Sequence, residues 1–306
     1  MYEATAKNPV IRQGWLRVVL FVACFCVLSL LIAVPTALYV AGVSMDQLKS
    51  SPIGTLSGLL DGNYLWLMIL VELVVSLVSV TAFRLWIDRS KPLSMGWSLV
   101  DFPGEAVMGL FMGPALLGIC ALVMLADGHL EWVDIIWDPS VFFVSLGLMV
   151  FIAFSEELVF RGYILGNLME SFSNRWVALV ISAVLFAAFH FTNPGVHTLA
   201  FINLFLAGLL LGINYIYTKN LWFSFLFHLS WNFFQGPILG FRVSGLTLPS
   251  LLVAETKGDL LITGGDFGLE GSILVTAMAA ISLCLLAWAF ERKYGAGALV
   301  AQARKA

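Results

Sequence analysis

Long apolar runs separated by short polar breaks dominate this chain. Eight such runs stand out, at about 15–42, 64–87, 104–126, 139–168, 175–192, 197–217, 221–236 and 268–290. Crossing the hydrocarbon core of a bilayer takes about 20 apolar residues in helical form, so each run is read as a membrane-spanning helix. The breaks hold residues that end helices: Ser51-Pro52, Lys91-Pro92, Asp138-Pro139 and Asn193-Pro194-Gly195. Trp15, Tyr64, Trp86, Trp137, Trp176 and Trp222 fall near run ends, where amphipathic rings settle at the membrane–water boundary. Two connections are longer. The 88–103 connection carries a semi-apolar piece around Met95-Gly96-Trp97, and 237–267 is Gly-rich, with a run at 246–254 that reads as re-entrant or interfacial. The pattern shows no internal repeat. It predicts an all-α fold, a polytopic bundle of about eight transmembrane helices in a single domain over 1–306.

Composition agrees with that reading and narrows it. Of 306 residues, 60% are hydrophobic and 11% are charged, where a soluble domain carries about 25% charged residues. With the N-terminus in the cytoplasm, thirteen of the sixteen Lys and Arg residues, Lys7, Arg304 and Lys305 among them, fall on inside segments. Only Lys49, Arg242 and Lys257 fall outside, a positive-inside bias that predicts both termini in the cytoplasm. The first run is too long for a signal-peptide core and is read as retained. No organellar presequence or retention signal is evident, so a bacterial-type plasma membrane is the expected location. A net charge of −3 and the lack of a basic patch argue against nucleic acid as a partner. Cys24, Cys26, Cys120 and Cys284 all sit within predicted spans, with no zinc-type spacing, and read as small packing residues.

Against this apolar background a few polar groups stand out. The stretch Ser155-Glu156-Glu157-Leu158-Val159-Phe160-Arg161 puts two carboxylates and a guanidinium inside the fourth run. A charge at the bilayer centre costs about 2.5–3.5 kcal/mol on insertion scales, so this stretch is read as the reaction centre. Glu157 and Arg161 are four apart and face each other as an ion pair, a structural role. Glu156 lies about 100° round the helix and is the freer carboxylate. The fifth run carries Phe186 and His190, and the seventh carries His228 and Asn232. Counted from the inner ends, Glu156 and His190 lie roughly 20 Å deep and His228 and Asn232 roughly 12–18 Å deep.

A carboxylate and an imidazole can share a water and take its proton. A His and an Asn can donate to a carbonyl oxygen as it becomes negative. Peptide hydrolysis needs both. A catalytic zinc held by Glu156, His190 and His228 is the competing use of the same groups; otherwise no cofactor is required. Ser155 and Ser182 are read as backbone hydrogen-bonding residues. His197 and His129 are read as a helix–helix and a loop residue, and Asn203 and Asn214 as inter-helix contacts.

Glu156-Glu157-xxx-Arg161, Phe186-xxx-His190 and His228-xxx-Asn232 resemble, in order, the EExxxR, FxxxH and HxxxN motifs of the CAAX-protease and bacteriocin-processing (CPBP, or Abi) family, which includes the type II CAAX prenyl endopeptidases. The motifs fall within a core at about 139–236. The resemblance implies an intramembrane endopeptidase whose site opens toward the cytoplasm. It implies that Glu156 and His190 activate water, that His228 and Asn232 form the oxyanion hole, and that Glu157 and Arg161 hold Glu156 and its helix in place. It further implies a peptide or prenylated protein as substrate, and both metallo- and glutamate-type mechanisms have been described for the family. The alternative reading is a transporter or peptide-binding scaffold that uses the same polar cluster without cutting.

Overall fold

The structure, a computed structural model, describes residues 8–40, 42–50 and 65–295. Lys7, Ser51-Pro52, Tyr64, Arg304 and Lys305 lie outside the described residues. The long helices are α1 (Gly14–Val40), α3 (Leu65–Ala82), α4 (Pro103–Ala126), α5 (Pro139–Glu157), α6 (Arg175–Phe189), α7 (Thr198–Ile213), α8 (Trp222–Phe233) and α9 (Ile273–Tyr294). A short α2 (Met45–Ser50) follows α1. Several helices run past their α-helical part. A wider π-helical segment, Phe83–Ile87, extends α3; another, Leu158–Leu165, carries α5 on to Ser171; a third, Phe234–Ile238, holds Pro237 and extends α8.

Among the described residues, six helices are long and apolar enough to cross a membrane. The chain is therefore an integral, multi-pass helical protein. The exceptions are α6 and α8, with 15 and 12 residues. The expected fifth run reached 192, but α6 stops at Phe189, and the backbone then turns through His190–Pro194. Helix starts follow local chemistry: the Asp138 carboxylate accepts from the N–H groups of Ser140 and Val141, with Pro139 in the first turn, and Asn174 and Ser272 cap α6 and α9.

The all-α expectation holds, with one small two-stranded sheet added among the described residues. Strand β1 (Leu130–Ile135) pairs antiparallel with β2 (Leu252–Thr256), in register Leu130↔Thr256 to Ile135↔Leu252. Within β1, Leu130 and Trp132 turn inward and Glu131 outward, the period of a half-buried strand. The Trp132 indole N–H also donates to the Leu239 carbonyl at 3.1 Å. The 246–254 run is non-helical chain ending in β2, and Leu246 and Leu248, like Leu229 and Phe233 of α8, pack against the buried cluster of Leu65, Ile69, Met149 and Ile152.

Three glycines bring the helices close. In α4, Gly109 and Gly113 abut the backbone of α8; an added Cβ would meet Phe223 O at 2.5 Å and Trp231 N at 2.6 Å. In α7, Gly208 packs on the backbone of Ala183 in α6. Small residues four apart let helices approach where lipid gives no hydrophobic drive to associate. One end of the bundle, called basal here, is tied by Arg17 to Asp88 (3.1 Å) and to Glu170, by Arg84 to Asp88 (3.0 Å), and by Arg175 to Glu291 (2.6 Å). The 92–98 segment closes that end. Its carbonyls at Met95, Gly96, Trp97 and Ser98 accept from Tyr215, Leu221, Trp222 and Asn220.

Gly113→Ala is expected to push α4 from α8 and to cost about 1–3 kcal/mol, as overpacking does. The midpoint of unfolding in detergent checks this; an unchanged midpoint would contradict the close approach.

Candidate active site

The centre of the bundle is built on Glu157. It is fully buried, and its Oε1 accepts from Arg161 Nη1 and from His228 Nδ1, both at 2.8 Å. Arg161, 1% exposed, also donates from Nη2 to the Gly208 carbonyl at 3.2 Å, and its guanidinium lies 4.4 Å above the Phe186 ring. The pair predicted from four-residue spacing is therefore present, with a further task. The resemblance gave Glu157 and Arg161 the role of holding Glu156 and its helix in place; Glu157 also bonds the histidine of α8, His228. Phe186 neighbours both the guanidinium and the His190 ring, whose centroid is 4.7 Å away at a tilt of 44°.

The four expected reactive side chains converge. Glu156 Oε2 lies 3.7 Å from His190 Nε2 and 4.0 Å from His228 Nε2. His190 Nδ1 contacts the Phe186 carbonyl at 2.8 Å. A carbonyl only accepts, so this nitrogen carries the hydrogen and Nε2 presents its lone pair to Glu156. In His228, Nδ1 likewise donates to a carboxylate. Asn232, one turn after His228, is 5% exposed and lines the same cavity.

That cavity, about 220 Å³, is mostly apolar. Glu156, His190, His228 and Asn232 line it with Ser155, Phe186 and Phe227. The resemblance implied a site that opens toward the cytoplasm. The cavity extends toward the end opposite the basal one, called apical, where Asn193, Ser244, Leu246 and Glu270 line it. Among the described residues, none of 83–103 or 214–222 lines it, because the 92–98 segment seals the base. The apical loop is held over the cavity by Glu270: its Oε1 accepts from the Trp231 indole at 3.0 Å, and its Oε2 from Ser244 N and Oγ at 2.7 and 2.8 Å. Asn193 donates to the Ser244 carbonyl at 3.1 Å.

Two lining carboxylates, Glu72 of α3 and Glu270, were missed. Glu72 had a readable signal: it is the only charged residue in Leu65–Ala82, an intramembrane carboxylate of the kind that marks function. Glu270 sits where loop meets helix, and nothing in the sequence points it inward.

The remaining expectations fall mostly as read. Ser155 bonds the Ile152 and Phe151 carbonyls of its own helix, and Ser182 donates to the Phe160 carbonyl. His197 accepts from Ala200 N at the start of α7, and His129 leads into β1. Asn203 joins α7 to the start of α9 through the Glu270 and Ser272 carbonyls. Asn214 does not bridge helices; its Oδ1 accepts from Thr218, one turn on in its own segment. All four cysteines are free.

Glu156, His190 and His228 are donor types that zinc takes. Among the described residues, however, no three His, Cys, Asp or Glu side chains are arranged to hold a metal ion.

Residues 138–234 match the family model for type II CAAX prenyl endopeptidase Rce1-like proteins. This segment is similar to an Rce1-like domain. It runs from the cap of α5 into the extension of α8 and contains all three motifs. No curated protein and no solved structure matches the chain. Glu72 and Glu270 lie outside the matched segment, on elements that line the same cavity.

Removing one partner from a buried ion pair strands the other charge, at a cost of about 3–5 kcal/mol. Arg161→Leu is therefore expected to lose most of the folded protein, measured by monodisperse yield in detergent. Glu157→Gln keeps the volume and an accepting oxygen but takes the counter-charge from Arg161, so it is expected to lower the midpoint of unfolding and, in the protein that folds, to reduce turnover about 10–100-fold through a loosened His228.

Proposed function

We propose that the chain is an intramembrane endopeptidase that hydrolyses a peptide bond with a water activated by Glu156 and His190. One observation carries the reading. Two imidazole Nε2 atoms, each oriented through its Nδ1, face the single oxygen Glu156 Oε2 at 3.7 and 4.0 Å. Glu156 Oε2 and His190 Nε2 are both acceptors, and at 3.7 Å they suit a bridging donor such as water. Glu156 takes one proton from that water, and the hydroxide adds to the carbonyl carbon. The carbonyl oxygen takes the electron pair and receives hydrogen bonds from His228 and Asn232. His228 donates from Nε2 when its ring carries both protons, and Glu157 supplies the counter-charge on the Nδ1 side. As the C–N bond breaks, Glu156 returns its proton to the leaving nitrogen, so the enzyme ends in its starting state.

If a zinc ion is resident, Glu156, His190 and His228 would hold it, and it would supply Lewis acidity to the water and the carbonyl. The glutamate route is favoured because the three donors are not arranged as a cage.

The basal end is placed in the cytoplasm, since Arg12, Arg17, Arg84, Arg89, Lys91, Arg175 and Lys219 lie there. Both termini then face the cytoplasm across eight spans, in a bacterial-type plasma membrane, and the substrate is a membrane-associated peptide or a lipidated protein.

The test compares wild type with Glu156→Gln at equal expression, by mapping peptide termini in membrane and secreted fractions. Cleavage is expected to fall by about 10²–10⁴-fold. Undiminished cleavage by a folded Glu156→Gln protein would refute the mechanism. Rates that hold in a zinc chelator favour the glutamate route, and rates that collapse favour the metal.

A further inference from the structure

We propose that the cavity takes a substrate with a positively charged group beside the scissile bond, and that Glu72 binds that group. The inference rests on the protease reading and names a substrate class for it. It starts from the placement of α3. The buried positions of this helix are Leu65, Ile69, Val75, Ser76, Ser79 and Val80. Glu72 falls between Ile69 and Ser76 on the same stripe, with the three- and four-residue steps of an inward helix face. Yet Glu72 itself is exposed. An inward side chain that keeps accessible surface keeps it toward the cavity, and Glu72 is among the residues lining it. Its depth matches the reactive groups. Fifteen residues separate Glu72 from Ile87, Glu156 from Ser171 and His190 from Arg175, all counted from the basal end.

The cavity's charges do not balance from within. Three carboxylates line it, at Glu72, Glu156 and Glu270, and among the described lining residues there is no Lys or Arg. Trp231 and Ser244 use both oxygens of Glu270. Arg161 lies behind the wall and is held by Glu157 and the Gly208 carbonyl. Glu156 Oε2 is enclosed without a hydrogen-bond partner. Asn232, 95% buried, faces the same space, and no partner is present for its amide among the described residues. Glu72 makes no hydrogen bond or ion pair among the described residues, and the charged groups that act on it are Glu156 and His228. A carboxylate held among apolar groups calls for a cation. His228, the lining group that becomes cationic in the proposed mechanism, is shared between Glu157 and Glu156, so the occupant supplies the charge for Glu72, as a Lys ammonium, an Arg guanidinium or a free amino terminus. A substrate cut a few residues before its own C-terminal carboxylate would bring a like charge to this wall.

The experiment uses the full chain in lipid nanodiscs and three fluorescent peptides of one apolar sequence, differing only by Lys, Leu or Glu at one position. Binding is read by anisotropy and cutting by mass spectrometry, for wild type, Glu72→Gln and Glu72→Lys. Wild type is expected to bind the Lys peptide about tenfold tighter than the Glu peptide. Glu72→Gln is expected to erase that difference, and Glu72→Lys to invert it. Glu72→Gln is near-isosteric, so it decides the matter alone if Glu72→Lys does not fold. Equal binding of the three peptides by wild type, or a Lys preference that survives in Glu72→Gln, would overturn the assignment. A Lys preference without cutting would keep the cation site and sink the protease reading; cutting without a charge preference would do the reverse.

Discussion

The arrangement depends on one shared oxygen. Glu157 Oε1 accepts from a guanidinium on its own helix and an imidazole on α8, both at 2.8 Å, in a fully buried setting. Taking a carboxylate out of water costs several kcal/mol, and only close, charge-assisted bonds offset it. This makes Glu157 intolerant of displacement. A slide of α5 against α8 would break the His228 bond, and a slide against α7 would break the Arg161 bond to the Gly208 carbonyl. The buried charge therefore costs free energy but fixes the relative register of three helices. That register brings Glu156, on the neighbouring helix face, opposite the two Nε2 atoms.

Packing makes the short contacts reachable. The helices that carry the histidines are the two shortest of the long set, and each leans on a neighbour through a small-residue face. Gly109 and Gly113 admit α8; Gly208 admits α6 and also presents its carbonyl to Arg161. The glycines therefore act at the site without touching it.

The helices were legible because a bilayer leaves the backbone few options: an apolar run of sufficient length must bond internally. The motif residues were legible because charge and amide groups stand out in such runs. What escaped depends on partners far along the chain. The His228–Glu157 bond spans 71 positions, and no local pattern announces it. The β1–β2 pair joins two loops whose strands have only six and five residues. Asn214 was misjudged because Thr218, four residues on, competes for the amide that an inter-helix contact would use. Glu72 could have been read, since a lone carboxylate on a buried stripe is as unusual as the adjacent pair on α5.

The π-helical segment of α5 sits between the reactive carboxylates and the basal anchors. It takes in more residues per turn than an α-helix, so it sets the angular phase between the two halves. Above it Glu156 faces the cavity; near its lower end Tyr163 reaches Asp88, and below it Glu170 reaches Arg17. Loss of one residue there would swing the lower half by about 100° about the axis, pulling both anchors off their partners while Glu156 stayed in place. Chain length between Glu157 and Glu170 is in this sense quantised. Substitutions can drift through the segment, but a single insertion or deletion cannot, and the spacing should hold more tightly than the identity of the apolar residues that fill it.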